Sequence, residues 1–404
     1  MSKCLICSGK TEIFLSFGKM PLGNGFLTKK YFKKEYFYSL KVAFCKNCKM
    51  VQLVNLVDRE KMFNKNYAFY SSTSKLMAKH FEEFAKFVIK GHLKSKSPFV
   101  LEIGSNDGIL LKHFAKRKIK HLGVEPSANV ADVAKKNGVN TICKFFDEET
   151  ARNIASKYGK VSVILGANVI CHIPYLNSLV AGVKVLLKER GVFIFEEPYL
   201  GDIVLKTSYD QIYDEHAFLF CVTSLKYVFE KHGLEIIDVS HQDVHGGSMR
   251  YTVAKAGAFK KRASVDVQLK FEKKLGLGRL ITFKRFAKSV KKSSGKLKRL
   301  LVDTNRRGRV AGYAATSKST TILNYAKIDD RLLEYICDTT PIKIGKFSPG
   351  MHVPIKSYYE FAKNYPDFAV LFGWNHAKEI MAKEKDFVRR GGKWIVFVPE
   401  VKIL

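Results

Sequence analysis

The chain has 404 residues, more than one hydrophobic core usually organises, so two or three domains are expected and a single small module is excluded. Apolar residues make up 46%, aromatic residues 12% and charged residues 26%, with only 10 Pro and 28 Gly, which excludes intrinsic disorder and collagen-like repeats. Charge is the departure from the ordinary: 70 Lys+Arg against 37 Asp+Glu give +33, a balance that favours polyanionic partners without dictating a fold.

The first residues, Met1 to Lys10, are polar and cysteine-bearing, and no apolar segment of signal-peptide type follows them. The apolar runs at 161–173 and 191–195 are interrupted by Asn168, Cys171 and His172 or are too short for about 30 Å of lipid, so a cytoplasmic location is expected. Cys4-x-x-Cys7 and Cys45-x-x-Cys48 form two knuckles 37 residues apart. Four thiolates without an open position describe a structural zinc site, which can hold together a domain too small for its own core. A redox dithiol or a coincidental pair of spacings is the alternative. Cys143, Cys171, Cys221 and Cys337 are scattered singly and read as small buried hydrophobes.

From Pro98 the pattern sharpens. Phe99 to Gly104 reads as a buried strand, Gly104-Ser-Asn-Asp-Gly108 as a glycine turn, and Ile109 to Lys118 as a helix. That order sets backbone N–H groups against a ligand at the strand's carboxyl end. Glu102, Gly104, Asn106, Asp107 and Gly108 belong to this turn, and Glu125, which ends the strand His121 to Val124, suits a ribose diol. Helices are expected over 127–136, 147–157, 175–188 and 224–232, and strands over 161–165, 192–196 and 235–239, which makes a doubly wound α/β sheet. The turn lacks the G-x-G-x-x-G order, and its acidic residues would repel phosphate rather than a sulfonium. S-adenosylmethionine therefore fits better than a dinucleotide, while the glycines could also merely cap a strand and a helix.

Downstream lie Tyr209-Asp-Gln-Ile-Tyr-Asp-Glu-His216, His245-Gly-Gly-Ser-Met-Arg250, Gly312-Tyr-Ala-Ala-Thr-Ser-Lys318, Leu323-Asn324-Tyr325, Asp338 and Pro349-Gly-Met-His-Val-Pro-Ile355. In order with the knuckles and the E-I-G-S-N-D-G turn, they resemble, over essentially the whole chain, the sugar C-methyltransferases of deoxysugar pathways. Those enzymes methylate a carbon beside the ketone of a nucleoside-diphosphate 4-keto-6-deoxyhexose.

The resemblance implies a zinc domain at 1–75, a class I Rossmann-like S-adenosylmethionine domain at 76–257, a basic helical connector at 258–306 and a second Rossmann-like domain at 307–404. It carries Tyr213, Glu215 and His216 to active-site positions, with His216 as general base. It also carries over His172, and a tyrosine that is either Tyr67 or Tyr70. Asn168, after the 161–165 strand, joins the cofactor set; His245, Arg250, Lys318 and Asn324 are candidate substrate contacts. Two departures stand out. The family's usual first histidine is Asp214, and two glycines of the carboxyl-terminal motif are Ala314 and Ser319. His245-Gly-Gly also reads as a tight turn, and the Lys318 segment as a plain βα turn.

The chemistry agrees with the residue types. A carbon beside a ketone becomes nucleophilic only after losing a proton, so the site needs a base poised near neutrality and donors to the enolate oxygen. His216 suits the first role, Glu215 could orient the base or the sugar, and Tyr213 or His172 could donate to the oxyanion.

The rival is a zinc-ribbon nucleic-acid methyltransferase or RNA-binding protein. Between Lys255 and Arg309 there are 19 Lys+Arg against 3 Asp+Glu. Yet the apolar residues there recur at helical spacing, and neither a base-holding N/D-P-P-Y clamp nor an RNA-binding signature is present. A zinc-supported nicotinamide enzyme is weaker still. The expectation is therefore a nucleotide-sugar enzyme, without nucleic acid or membrane partners and with a monomer as its assembly, although the sequence leaves the oligomeric state open.

Overall fold

A computed structural model describes residues 2–63, 71 and 75–404. Among these, no helix is long and apolar enough to cross a membrane. Three sheets organise the chain.

The amino-terminal sheet is antiparallel, with strands in the order Thr11–Pro21, Phe37–Cys45, Val51–Leu53 and Phe218–Leu219. Its fourth strand comes from the middle of the chain, two residues after His216, and pairs Val51 with Leu219 and Gln52 with Phe218. The small domain is thus completed by a segment of the large one.

The central sheet has seven strands in the order Leu234–Gln242, Ser248–Lys255, Leu187–Pro198, Val161–Ala167, Phe99–Ile103, Lys120–Val124 and Thr141–Ile142. The expected alternation is present, with helices Ala128–Lys136, Glu148–Tyr158, Leu176–Leu186 and Val222–Lys231. Two expectations change. The helix expected over 109–118 contracts to one turn at Lys112–Ala115, because Ile109, Leu110 and Leu111 are all buried and three successive residues cannot share one helix face. The second is an added strand: His245-Gly-Gly is a tight turn, with Gly247 N–H on Val244 O at 2.9 Å, and it leads into Ser248–Lys255, which runs antiparallel to both neighbours and completes the sheet.

The carboxyl-terminal sheet runs Ile355–Ser357, Ile336–Asp338, Val310–Tyr313, Phe368–Leu371, Lys393–Val396 and Lys402–Ile403, parallel except for the last. In an open parallel sheet the ligand crevice lies outside the strands' carboxyl ends, where the winding reverses. In the central sheet this point falls between Phe99–Ile103 and Val161–Ala167; in the carboxyl-terminal sheet it falls between Val310–Tyr313 and Phe368–Leu371. Residues just beyond both points line one cleft of about 500 Å³.

The basic connector is two helices, Ala263–Leu275 and Leu280–Asn305. The longer one buries Phe283, Phe286, Val290, Leu297 and Leu301 and keeps its lysines outside. Phe283 packs against Phe14 and Phe44 of the amino-terminal sheet, with ring centroids 5.2 and 5.0 Å away. In the shorter helix Glu272 is buried and accepts from the N–H groups of Val222 and Thr223, both at 2.8 Å, which satisfies the start of helix Val222–Lys231.

Gly23 joins the three parts. Its N–H donates to Asp214 (2.8 Å) and its carbonyl accepts from Thr320 Oγ1 (2.9 Å). A β-carbon there would stand 2.9 Å from Asp214 Oδ1, 3.2 Å from the Tyr213 ring and 3.3 Å from Ser317 Cβ. Gly23→Ala should therefore destabilise the protein by about 1–3 kcal/mol, the usual range for overpacking. Denaturant unfolding checks this; an unchanged midpoint would show that the junction is loose.

Candidate functional site

The two cysteine knuckles are built alike. Ser8 N–H donates to Cys4 O and Lys49 N–H to Cys45 O, and each chain turns through a left-handed residue, Ser8 at φ 58° and Lys49 at φ 62°. This brings the four sulfurs within 4.8 Å of one another, with Cys4 to Cys48 and Cys7 to Cys45 both at 3.5 Å. Hydrogen bonds from the Cys48 thiol and from backbone N–H groups hold Cys4 down to about 5, despite burial. An all-thiol donor set at this spacing fits a structural zinc ion, which would replace shared protons by metal–sulfur bonds. The knuckle is fastened to the central domain by Asn177 Nδ2 and Lys231 Nζ, both donating to Ile6 O at 3.0 Å.

The glycine turn lies at the carboxyl end of Phe99–Ile103. Gly104 has φ +65°, and a β-carbon on it would run into the Val169 side chain. Asn106 also takes a left-handed conformation, at φ 47°. Glu125 accepts from Asn106 N–H (3.0 Å) and Ser127 N–H (2.8 Å), so the acidic residue fixes the turn it faces. Burial pushes its carboxyl upward while these N–H groups pull it back. Gly104, Asn106, Glu125 and Asn168 line the cleft. Glu102, Asp107 and Gly108 are not among the lining residues, and burial and the neighbouring Asp107 and Glu125 charges push Glu102 well above the carboxylate range.

Beside this wall stand Tyr213, Glu215, His216 and His172, all lining the cleft. The His216 ring is 4.2 Å from the Tyr213 ring and 5.1 Å from that of His172. His216 Nδ1 lies 2.7 Å from Gln211 O. A carbonyl can only accept, so Nδ1 carries the proton and Nε2 keeps the lone pair. Burial, then the charges of His172 and Lys318, drive His216 well below the usual imidazole range, and burial takes His172 down to about 4. Both rings are therefore neutral at pH 7. Glu215 accepts from Asn24 Nδ2 at 2.6 Å. Asp214, where the family usually has histidine, is buried under the Gly23 N–H, and burial pushes it up to about 6. Tyr67 and Tyr70 lie outside the described residues.

Cys171, His172 and His216 also place donor atoms within 4.8 Å of one another. Cys171 is a poor metal ligand there: burial raises its thiol, which is hydrogen-bonded to Glu197, itself raised by burial to about 7.

The facing wall comes from the carboxyl-terminal sheet: Tyr313, Ala314, Ser317, Lys318, Asp338, Lys343 and His376 reach the same cleft, as does His245 from the central domain. Two residues expected as substrate contacts, Arg250 and Asn324, are not among those that line the cleft. Arg250 is buried away from the cleft, bonded to Glu196 (2.6 Å) and stacked over Phe84 and Phe87 at 4.4 and 4.8 Å. Asn324 donates to the carbonyls of Thr320 and Pro349, both at 2.9 Å, and so braces a loop. The sequence reading passed over Asn24, Arg59, Gln211 and His376, all of which line the cleft. Only Gln211 had a signal, its place inside the Tyr209–His216 motif.

Comparison with known proteins decides the family. A C-methyltransferase, NovU of Streptomyces niveus, is 31% identical over 408 residues, covering 100% of this chain and 97% of the relative. The chain belongs to the C-methyltransferase family. Three family models match in order: "Putative zinc binding domain" at residues 4–63, "Methyltransferase domain" at 73–239 and "C-methyltransferase C-terminal domain" at 243–399. Among solved structures, magnesium protoporphyrin IX methyltransferase of Synechocystis PCC 6803 with bound S-adenosylmethionine is 11% identical, with a TM-score of 0.34 over 44% of this chain and 79% of that one. The CcbJ methyltransferase of Streptomyces caelestis is 13% identical, with a TM-score of 0.34 over 44% and 90%. This C-methyltransferase uses S-adenosylmethionine, which when bound supplies an electrophilic methyl group.

Metal analysis of freshly purified protein should find one zinc per chain. Cys48→Ser should abolish it and, because a structural zinc contributes folding energy outright, cost at least tenfold in activity by loosening the Gly23–Asn24 loop. Zinc-free protein with full activity would refute that coupling.

Proposed function

We propose that the acceptor is a nucleoside-diphosphate 4-keto-6-deoxy sugar, methylated on a carbon next to its ketone after His216 removes a proton. The observation that carries this reading is the tautomer of His216. Its Nδ1–H is committed to Gln211 O, and its free Nε2 faces a cleft it shares with the S-adenosylmethionine turn.

Methyl transfer to carbon needs a carbanion equivalent, and oxygen or nitrogen acceptors do not. A neutral imidazole held by a backbone carbonyl is available to take a proton at pH 7, and the enolate charge that forms beside it favours the imidazolium as the proton moves. Tyr213 and His172 flank it as donors to the enolate oxygen; a phenol raised well above its usual value by burial donates rather than ionises. Glu215, held by Asn24, is positioned to accept from sugar hydroxyls. Tyr67 or Tyr70 would add a further hydroxyl. Arg59, Lys343 and Lys383 bring positive charge to the cleft rim, as a diphosphate requires. Asn168 and Glu125 remain the candidates for holding the amino-acid and ribose ends of the cofactor.

His216→Asn should abolish exchange of the sugar's α-hydrogen with solvent deuterium, with S-adenosylmethionine affinity within about threefold of the parent, since a positioned base supplies about 10²–10⁴-fold. Retained exchange would remove His216 from the role of base. Because burial lowers the His216 pKa, the base form persists as pH falls. Turnover should stay level from about pH 8 to 6.5, where an unperturbed imidazole would be half protonated. A pH–rate profile that halves at 6.5 would contradict this.

A further inference from the structure

Lys318 begins the helix Ser317–Ala326, at the carboxyl end of strand Val310–Tyr313 and opposite the base. Its stem is partly open to the cleft, but its ammonium is buried and, among the described residues, makes no hydrogen bond and no ion pair within 4.0 Å. Burial draws the Lys318 ammonium below the usual lysine range while Asp210 holds it up, and a buried amine left without a partner is kept in a native structure for a reason. The carboxylate that acts on it is Asp210, whose Oδ2 accepts from Trp374 Nε1 at 2.6 Å. The groups that feel its charge are His216, His245 and His376. One of these, His245, also keeps a buried Nε2 without a hydrogen-bond partner among the described residues. All four side chains line the cleft.

The structure assigns Lys318 as a catalytic electrophile, a cation delivered by the carboxyl-terminal domain to the oxygen that becomes negative when His216 acts. This rests on the keto-sugar reading above. In the step, His216 Nε2 takes the α-hydrogen as a proton, the C–H pair becomes the carbon–carbon double bond, and the carbonyl π pair moves to oxygen. The resulting imidazolium and enolate keep the site's net charge unchanged. The enolate oxygen is bonded to the carbon next to the one deprotonated, so its partner must share the base's cleft, and Lys318 does. The same cation repels a proton from His216 before substrate arrives, which keeps the base ready.

The test uses the full-length, zinc-loaded protein without S-adenosylmethionine, a nucleoside-diphosphate 4-keto-6-deoxyhexose in D2O, and NMR of the α-hydrogen. With saturating sugar, Lys318→Met should slow exchange by about 10²–10³-fold, the usual loss for one oxyanion donor, and Lys318→Arg should recover part of it. Affinity for the nucleoside diphosphate alone should stay within about twofold, because no phosphate contact is lost. Thermal unfolding should be unchanged or raised in Lys318→Met, since an unpaired buried charge is replaced by an apolar side chain of similar length. Undiminished exchange in Lys318→Met would overturn the assignment. So would a large loss of nucleoside-diphosphate affinity whose effect on exchange vanishes at saturation, which would make Lys318 a phosphate ligand. If the wild-type protein exchanges no keto sugar tried, the sugar reading falls and takes this inference with it; exchange that survives in the variant removes Lys318 alone.

Discussion

The segment from Tyr209 to Leu219, part of the central domain, is held in shape by the two domains on either side of it. Thr321 Oγ1 binds Ile212 O, Trp374 binds Asp210, and Gly23 N–H binds Asp214. Phe218–Leu219 then closes the amino-terminal sheet. A short stretch with one helical turn and a two-residue strand has little stability of its own, so its order is lent by its neighbours. The cysteine knuckles do not line the cleft and connect to this segment through the fold. They fix the sheet that receives Phe218–Leu219 and carries the Gly23–Asn24 loop.

Burial is the second constraint. The cleft places His172, His216 and His245 where the charged imidazole is disfavoured, and it raises Tyr213 and Asp214 in the opposite sense. The outcome is a largely neutral wall in which a carbonyl-anchored imidazole can act as a base. Asp214 takes part through the backbone. Its buried carboxyl accepts from Gly23 N–H and so tethers the amino-terminal domain to the motif.

The charge of +33 resolves into surface. Lys284, Arg285, Lys288, Lys291, Lys292, Lys296, Lys298 and Arg299 are exposed along the outer side of Leu280–Asn305, while its apolar stripe packs inward. The connector's single buried acid, Glu272, instead serves a helix start in the central domain. This solvated lysine face carries part of the +33.

Much of this was legible in the chain: the knuckle spacing, the central sheet's period, the glycine turn with Glu125 beyond it, and the Tyr209–His216 motif. These are local, set by backbone conformation and by residues near in sequence. The sequence could not tell that Arg250 pairs with Glu196, that Asn324 braces Pro349, or that Ser248–Lys255 is an antiparallel strand. Side-chain partners and strand neighbours far apart in the chain are chosen by packing. Nor could it tell which ring nitrogen of His216 is free, because that follows from Gln211 O, five residues away but 2.7 Å in space. Sequence determined the family of parts and their order. Tertiary structure decided how two crevices face each other and which buried groups are left without partners, because burial and hydrogen-bond satisfaction exist only once the chain has closed on itself.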